Sequence, residues 1–189
     1  MDVFCETERL ILRNFTADDA ELLLALDNAQ GTMFYINGGL PVEPPAVDEH
    51  LAAFLAYHEQ NSGYGFYAVI EKSSGEFIGW LHFRPEDGAG PDEVELGYRL
   101  HPSAWGKGYA TEGSRALIDK GFTALGVQRV NAYAVAVHAA SRRVMEKAGL
   151  RYVRTFHGDW PWPIPGDEEG DVEYAISRRE WEEDRRLSR

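Results

Sequence analysis

The chain has 189 residues, of which 44% are hydrophobic and 26% are charged, a composition typical of one folded globular domain, residues 1–189. Its 31 acidic and 19 basic side chains give a net charge of −12, which argues against general binding to nucleic acid backbones or anionic membranes. No apolar run approaches the roughly 20 residues that a membrane helix needs.

Cysteine usage and the first residues bear on the cellular compartment. Cys5 is the only cysteine, so no internal disulfide can form, and residues 1–6 lack the basic and apolar regions of a signal peptide. We therefore expect a cytoplasmic protein.

The first half of the chain mixes strand and helix patterns. Apolar alternation predicts a strand over residues 7–13, and the cap-like residues 16–19 lead into a helix over 20–29. Two glycines and a proline end that region, and Pro44-Pro45 introduces a second helix over 46–60. Two apolar runs, 66–71 and 76–83, flank a short polar turn and indicate a β-hairpin.

The second half continues the mixed order. Period-two alternation predicts a strand over 93–100, and apolar residues at helical spacing predict a helix over 110–125. The elements expected after it are a strand over 129–137, a helix over 139–148 ended by Gly149, a strand over 151–156, and a strand over 172–177 that closes the sheet. Three prolines make residues 157–166 an irregular loop.

A glycine-containing loop joins the strand over 93–100 to the helix after it, in the run Trp105-Gly106-Lys107-Gly108-Tyr109-Ala110-Thr111-Glu112. Glycines allow close approach of the backbone to a ligand, and the first amides of a helix have no internal partner and suit a phosphate. The run is neither a dinucleotide fingerprint nor a P-loop. A simple strand-to-helix turn and a site for another phosphate-bearing ligand both fit it.

Three sequence blocks in this order carry a family resemblance: Glu95 to Pro102, Trp105 to Glu112, and Ser141 to Leu150. They resemble the GNAT superfamily of N-acetyltransferases, and most of all its ribosomal-protein N-terminal acetyltransferase-like branch, the Rim type. The resemblance implies a mixed α/β (α+β) fold. It has a twisted, mostly antiparallel sheet of six to seven strands, a central splayed parallel pair, and about four flanking helices.

The resemblance also implies acetyl-CoA as co-substrate. The amides of Gly106, Lys107, Gly108, Tyr109 and Ala110 would face its pyrophosphate, with Thr111 next in the helix and Trp105 where many relatives have Gln or Arg. Lys107 would add charge near the phosphates or remain a solvated lysine. The pantetheine arm would pair with the free edge of Tyr98 to Leu100, opposite a partner strand over 131–137.

Direct transfer to a neutral amine, as in the family, needs a base and a donor for the leaving thiolate. Glu95 is our candidate base; alternatively, it is a surface carboxylate paired with Arg99. A backbone amide near residues 96–98 would stabilise the thioester oxygen. Ser141 stands where Rim-type relatives have a serine near the coenzyme, and it would contact the coenzyme and donate the proton, or merely satisfy a helix-end amide.

His138 departs from the family pattern, because relatives carry Asn three residues before the serine. Histidine is a poorer helix cap, and the change should cost about 1 kcal/mol unless another donor or the ligand compensates. We expect the ring to contact pantetheine at the asparagine position, while a catalytic role stays open because imidazole titrates near neutrality. The histidines show no metal-ligand spacing, so no metal site is expected.

The acceptor is the least constrained part of the prediction. Six aromatic residues could form a pocket for a cationic amine or simply pack the core: Phe34, Tyr35, Tyr64, Trp80, Trp160 and Trp162. We expect an N-acetyltransferase acting on a primary amine, either a protein N-terminus or a small molecule, as a monomer or a homodimer. A non-catalytic acetyl-CoA sensor and a peptide- or ribosome-binding module remain alternatives.

Overall fold

Eight strands form one sheet in the computed structural model, which describes residues 2–86 and 88–187. The spatial order is β1-β2-β3-β4-β5-β6-β8-β7. In chain order, β1 to β8 are Val3–Glu6, Leu10–Asn14, Gly65–Glu71, Phe77–Pro85, Glu93–Leu100, Arg129–Val135, Arg151–Phe156 and Asp171–Ser177.

Six α-helices flank the sheet within the described part of the chain. In chain order, α1 to α6 are Ala20–Asp27, Phe34–Asn37, Pro44–Gln60, Tyr109–Ala124, Ala139–Ala148 and Arg178–Leu187. Among the residues placed by the structure, no helix combines the length and the apolar character that crossing a membrane requires.

The parallel pair in the sheet is β5 with β6. Their pairing runs only from Glu93 opposite Arg129 to Glu95 opposite Asn131, although β5 continues to Leu100 and β6 to Val135. All other neighbouring strands are antiparallel. The two central strands therefore open away from each other beyond Glu95, as expected for a splayed pair.

Side chains of β5 point alternately to the two faces of the sheet, and a separate hydrophobic cluster covers each face. Leu96 is buried on the face covered by α4, together with the fully buried Leu117 and Phe122 of that helix. Burying each such side chain contributes about 1.5–3 kcal/mol. Gly121 allows α4 to lie close to the sheet, because a Cβ there would come within 2.5 Å of the Phe83 ring. The opposite face packs under α1 and α3 through a cluster that includes Trp80.

The mixed α/β fold is confirmed, but its element counts are higher than expected. The strand predicted over 7–13 corresponds to β2, and β1, which lies before that range, was not predicted. A turn that the Thr7 N–H closes on the Leu10 carbonyl at 2.9 Å joins the two strands. The single turn of α2 is too short to show a helical period. α6 was not predicted, because most of its residues are charged. It packs against the rest of the fold through the contact of Trp181 with Phe122.

The predicted position of the last strand was wrong. β8 lies between β6 and β7, so the sheet is closed by β7 and not by residues 172–177. Burial explains this order, because six of the seven residues of β8 are buried whereas β7 is exposed along most of its length. A strand covered on both faces belongs inside a sheet.

Candidate functional site

The opening between β5 and β6 leads into a cavity of about 960 Å³. The loop before α4 and the start of α5 line one part of the cavity. Residues of the α1–α3 connection and of the loop between β7 and β8 line another part. One space therefore joins the predicted phosphate loop to the regions where we expect the acceptor.

The loop before α4 has the geometry of an anion cradle. Gly106 and Gly108 adopt left-handed conformations with φ of 72° and 83°, and Gly108 is the N-cap of α4. The first hydrogen bond into the helix runs from the Glu112 N–H to the Gly108 carbonyl at 3.0 Å, so the amides of Tyr109, Ala110 and Thr111 precede the internal ladder. Such a helix start carries partial positive charge that attracts phosphate.

Most of the predicted loop residues line the cavity. They are Trp105, Gly106, Gly108, Tyr109, Ala110 and Thr111, together with Leu100 and Tyr98 of β5. Lys107 is not among the lining residues, and its carbonyl accepts a hydrogen bond from Arg9 at 3.0 Å. The backbone of Lys107 thus helps to hold the loop in place.

Contacts from the first strands hold the loop rigidly. Arg9 pairs with Glu112 at 2.6 Å, and the Thr7 hydroxyl donates to the same carboxylate at 2.6 Å. The Tyr109 hydroxyl donates to Glu71, and its ring lies under the Arg9 guanidinium. Burial would raise the pKa of Glu112, but the bonds from Thr7 and Arg9 lower it below its usual value. Sequence reasoning missed Arg9 and Glu71, which lie far from the loop along the chain.

Trp105 braces the open edge of β5. Its indole N–H donates to the Leu100 carbonyl at 2.7 Å, so that carbonyl already accepts one hydrogen bond. The His101 N–H bonds to Ile78 on β4, and backbone groups alternate sides along a strand. The backbone groups of Tyr98 and Leu100 therefore face the opening, where a ligand can pair with them.

Two cations on α5 also line the cavity. Arg143 and Lys147 lie one helical turn apart, their side chains are exposed, and neither has an ion-pair partner among residues 2–86 and 88–187. In a chain with net charge −12, unpaired cations beside an anion cradle suit a polyphosphate. Sequence reasoning overlooked them, although their i, i+4 spacing on the helix after Ser141 was visible.

Ser141 and Tyr98 meet at the opening. Ser141 is 9% exposed, the Tyr98 hydroxyl donates to its carbonyl at 2.8 Å, and the two hydroxyl oxygens lie 3.0 Å apart. Burial raises the pKa of Tyr98 well above its usual value, against a smaller lowering by the bond to Ser141. The Tyr98 side chain is a site feature that the sequence prediction, which used only its backbone, did not contain.

Glu95 lines the cavity from the other face of β5, since residues three apart on a strand point to opposite sides. Its side chain is 24% exposed, 3.2 Å from Arg84 and 3.5 Å from Nε2 of His82. Burial would raise the pKa of Glu95, but His82 and Arg84 together hold it below its usual value. Glu95 is therefore ionised at neutral pH.

The alternative interpretation, in which Glu95 pairs with Arg99, is wrong. Arg99 instead binds Asp27 of α1 at 2.6 Å and lies over the Trp80 ring. The register of β4 with β5 explains why Glu95 binds Arg84 and not Arg99. Arg84 lies directly opposite Glu95, and residues opposite each other on neighbouring strands are closer than residues two apart on one strand.

His138 is the N-cap residue of α5, and its side chain makes no capping hydrogen bond. The ring lines the cavity and stacks on Tyr35 with ring centroids 4.3 Å apart. Burial lowers the pKa of His138, so the imidazole is neutral at neutral pH. The stack with Tyr35 connects α5 to the α1–α3 connection above the cavity.

Only part of the predicted aromatic pocket forms. Phe34, Tyr35 and Trp160 line the cavity. The Tyr64 hydroxyl instead bonds to loop carbonyls, Trp80 packs in the core under α1 and α3, and Trp162 is 51% exposed at the surface. Within the described part of the chain, no group of three His, Cys, Asp or Glu side chains is arranged to hold a metal ion.

Comparisons with known proteins place this geometry in a family. Residues 9–151 match the Acetyltransferase (GNAT) domain. FsC-acetyl coenzyme A-N(2)-transacetylase of Aspergillus fumigatus is 34% identical over 182 residues, 93% of this chain and 76% of that protein.

Solved structures share the whole fold. A GNAT-family acetyltransferase from Bacillus anthracis superposes with a TM-score of 0.75 and 25% identity, over 95% of this chain and 99% of that one. A ribosomal-protein α-N-acetyltransferase in complex with coenzyme A superposes with a TM-score of 0.72 and 18% identity, over 93% and 98%. The second match is a likeness of fold alone. Because the family match spans most of the chain, this protein belongs to the GNAT acetyltransferases, a family that uses acetyl-CoA.

Proposed function

We propose that this chain is an acetyl-CoA-dependent N-acetyltransferase of one domain that acetylates a primary amine by direct transfer in a ternary complex. The observation that carries the proposal is the opening between β5 and β6. Glu95 approaches it from one face of the sheet, and the hydroxyl pair of Tyr98 and Ser141 from the other. A proton acceptor and a proton donor thus flank one cavity.

The residues present fit coenzyme A. Its pyrophosphate would be held by the amides of residues 106–111 at the start of α4, with Arg143 and Lys147 nearby as counter-charges. Its pantetheine arm would pair with the free edge of β5 at Tyr98 and Leu100, with Ser141 and His138 on the far wall. When bound, acetyl-CoA supplies the activated acetyl group as a thioester.

The chain's own groups then handle two protons. Ionised Glu95 accepts the proton that the amine nitrogen loses, directly or through water, as the C–N bond forms. The Tyr98 and Ser141 hydroxyls supply a proton to the thiolate released as the C–S bond breaks. The Tyr98 N–H, on the open edge, is placed to stabilise negative charge on the acetyl oxygen.

For the acceptor we propose a small-molecule amine. The support is the Aspergillus fumigatus relative, whose name describes transfer from acetyl coenzyme A to an N(2) position of FsC, at 34% identity over 93% of this chain. The Rim-type branch and a protein N-terminus stay a prediction, since the ribosomal-protein enzyme resembles this chain at 18% identity. The oligomeric state and cytoplasmic location stay predictions as well.

A thiol-release assay over a panel of small amines and N-terminal peptides tests the proposal. We expect at least one small amine to raise release well above background hydrolysis. Binding is measured in parallel, because a ligand at 100 times its dissociation constant stabilises the fold by about 2.7 kcal/mol. Coenzyme binding without any turnover would favour a sensor, and absence of coenzyme binding would favour a peptide- or ribosome-binding module.

A further inference from the structure

Two carboxylates besides Glu95 line the same cavity: Asp159, which is exposed, and Asp171. Asp171 is the first residue of β8 and is 3% exposed. Its Oδ2 accepts hydrogen bonds from the Gly158 N–H at 3.0 Å and from the Trp160 indole N–H at 3.1 Å. Its buried Oδ1 has no hydrogen-bond partner among the described residues.

Burial without a cation is unusual for a carboxylate. Removing an ionised group from water carries a penalty that two neutral N–H donors offset only in part. Buried carboxylates are usually paired with cations. Glu173 is an example: it is also buried, it lies two residues along the same strand, and Arg129 and Arg154 bind it at 3.3 and 2.6 Å. No lysine or arginine among residues 2–86 and 88–187 pairs with Asp171. Asp171 is therefore a buried carboxylate without a cation in the described structure, and one of its oxygens has no hydrogen-bond donor.

Sheet register relates Asp171 to Glu95. Glu95 lies opposite Asn131 on β6, and Asp171 lies opposite Val135 on the same strand. Asn131 and Val135 are four residues apart, and residues separated by an even number along a strand point to the same face. Glu95 and Asp171 therefore lie on one face of the sheet. Two strand spacings and four residues of rise separate their Cα atoms by about 16 Å. Both residues line one cavity, so an elongated ligand can reach both.

We propose that Asp171 binds a second, cationic amine of the acceptor, while the amine to be acetylated lies at Glu95. The proposal rests on the proposed function and narrows its substrate class to an elongated diamine or a similar amino compound with a distal ammonium group. The distal ammonium is attracted by the negative charge of the Asp171 carboxylate at the cavity wall. The phosphates of the coenzyme would be repelled there and stay with the cations of α5.

Asp171→Asn tests the proposal, because the amide oxygen still accepts from Gly158 and Trp160 while the charge is lost. Initial rates are measured for α,ω-diamines of increasing length and for amino alcohols of the same lengths. We expect the wild-type protein to prefer a diamine of suitable length by at least tenfold in kcat/KM. Asp171→Asn should remove this preference by raising the diamine KM, with the amino alcohol and acetyl-CoA KM values unchanged.

Two further variants separate charge from loop structure. Glu169→Gln makes the same change of charge at an exposed position of the same loop and should keep the diamine preference. Asp167→Ala removes a different anchor of the same loop, the bond from the Ile164 N–H at 3.4 Å, at a residue that does not line the cavity, and it also should keep the preference. Loss of the preference in Asp167→Ala to the extent seen in Asp171→Asn would reduce Asp171 to a loop anchor and overturn the proposal.

The outcomes also separate this inference from the proposed function. Acetylation of amines with equal efficiency for diamines and amino alcohols would overturn the role of Asp171 and leave the acetyltransferase intact. Absence of acetylation for every amine would overturn both. Calorimetric binding of the preferred diamine to the protein saturated with coenzyme A gives a readout besides turnover, and Asp171→Asn should weaken it at least tenfold. If Asp171→Asn lowers Tm sharply, diamine binding by the wild type and by the variant is measured at a temperature below the unfolding transition of the variant.

Discussion

The Tyr98 hydroxyl donates to the Ser141 carbonyl at 2.8 Å and lies 3.0 Å from the Ser141 hydroxyl, which joins β5 to α5 across the open edge of the sheet. Burial raises the pKa of Tyr98, so the phenol keeps its proton at neutral pH. Two hydroxyl groups in contact form a short path along which a proton can reach a thiolate in the cavity.

Ser141→Ala should lower kcat while leaving the KM for acetyl-CoA within a few fold. Loss of a positioned proton donor costs about 10²-fold in rate. Tyr98→Phe should lower kcat less, because Ser141 keeps its own proton but loses the hydroxyl that orients it. Steady-state thiol release measures both variants. A kcat for Ser141→Ala equal to that of the wild type would remove this serine from the chemistry.

Glu95→Gln should lower kcat by about 10²-fold and spare coenzyme binding, since a general base contributes on that order. In the wild type, activity should fall as the pH drops through the lowered pKa of Glu95, below its ordinary value of 4.5. Without the carboxylate the amine must lose its proton to solvent, so the profile of the variant should move to higher pH.

A pH series of kcat/KM, with coenzyme affinity measured at each pH, checks this prediction. Arg99→Lys is a suitable comparison, because Arg99 shares the sheet face of Glu95 but is bound to Asp27. An unshifted profile in Glu95→Gln would exclude Glu95 as the base.

Arg143→Ala and Lys147→Ala should each raise the dissociation constant of coenzyme A by about tenfold, the effect of losing one charge-assisted contact of about 1.4 kcal/mol. The loss should shrink at high salt, because exposed charges are screened. Arg179→Ala serves as the control, since Arg179 is an exposed cation on α6 whose ion-pair partner is Glu183. Titration calorimetry at two salt concentrations measures all three. Affinity that is unchanged in both α5 variants would place the phosphates elsewhere.

The central part of the site could be predicted from the sequence because its signals are local. Each of these signals involves residues close together in the chain. They are the alternation in β5, the glycines at 106 and 108 that adopt positive φ, and the helical period of α4. The same holds for α5, whose predicted bounds are the observed ones.

The missing parts of the prediction depend on contacts between distant segments. Tyr98 and Ser141 are 43 residues apart, and the partner of Glu95 follows from the register of β4 with β5. Asp171 reaches the cavity only because β8 lies between β6 and β7, an order that no periodicity encodes. Pairing of this kind is decided by packing and burial over the whole sheet.

His138→Asn tests the departure from the family pattern at the start of α5. Because burial lowers the pKa of His138, its ring is already neutral at neutral pH and does not change charge between pH 7 and 8. Asparagine restores the capping side chain, worth about 1 kcal/mol at a helix N-terminus, and removes the stack on Tyr35. We expect the pH profile of kcat to keep its shape above pH 7, while the KM for acetyl-CoA shifts by no more than a few fold.

Tyr35→Ala, which removes the same stack but leaves the imidazole, is the matched control. Loss of a limb of the profile in His138→Asn but not in Tyr35→Ala would show instead that the imidazole takes part in proton transfer.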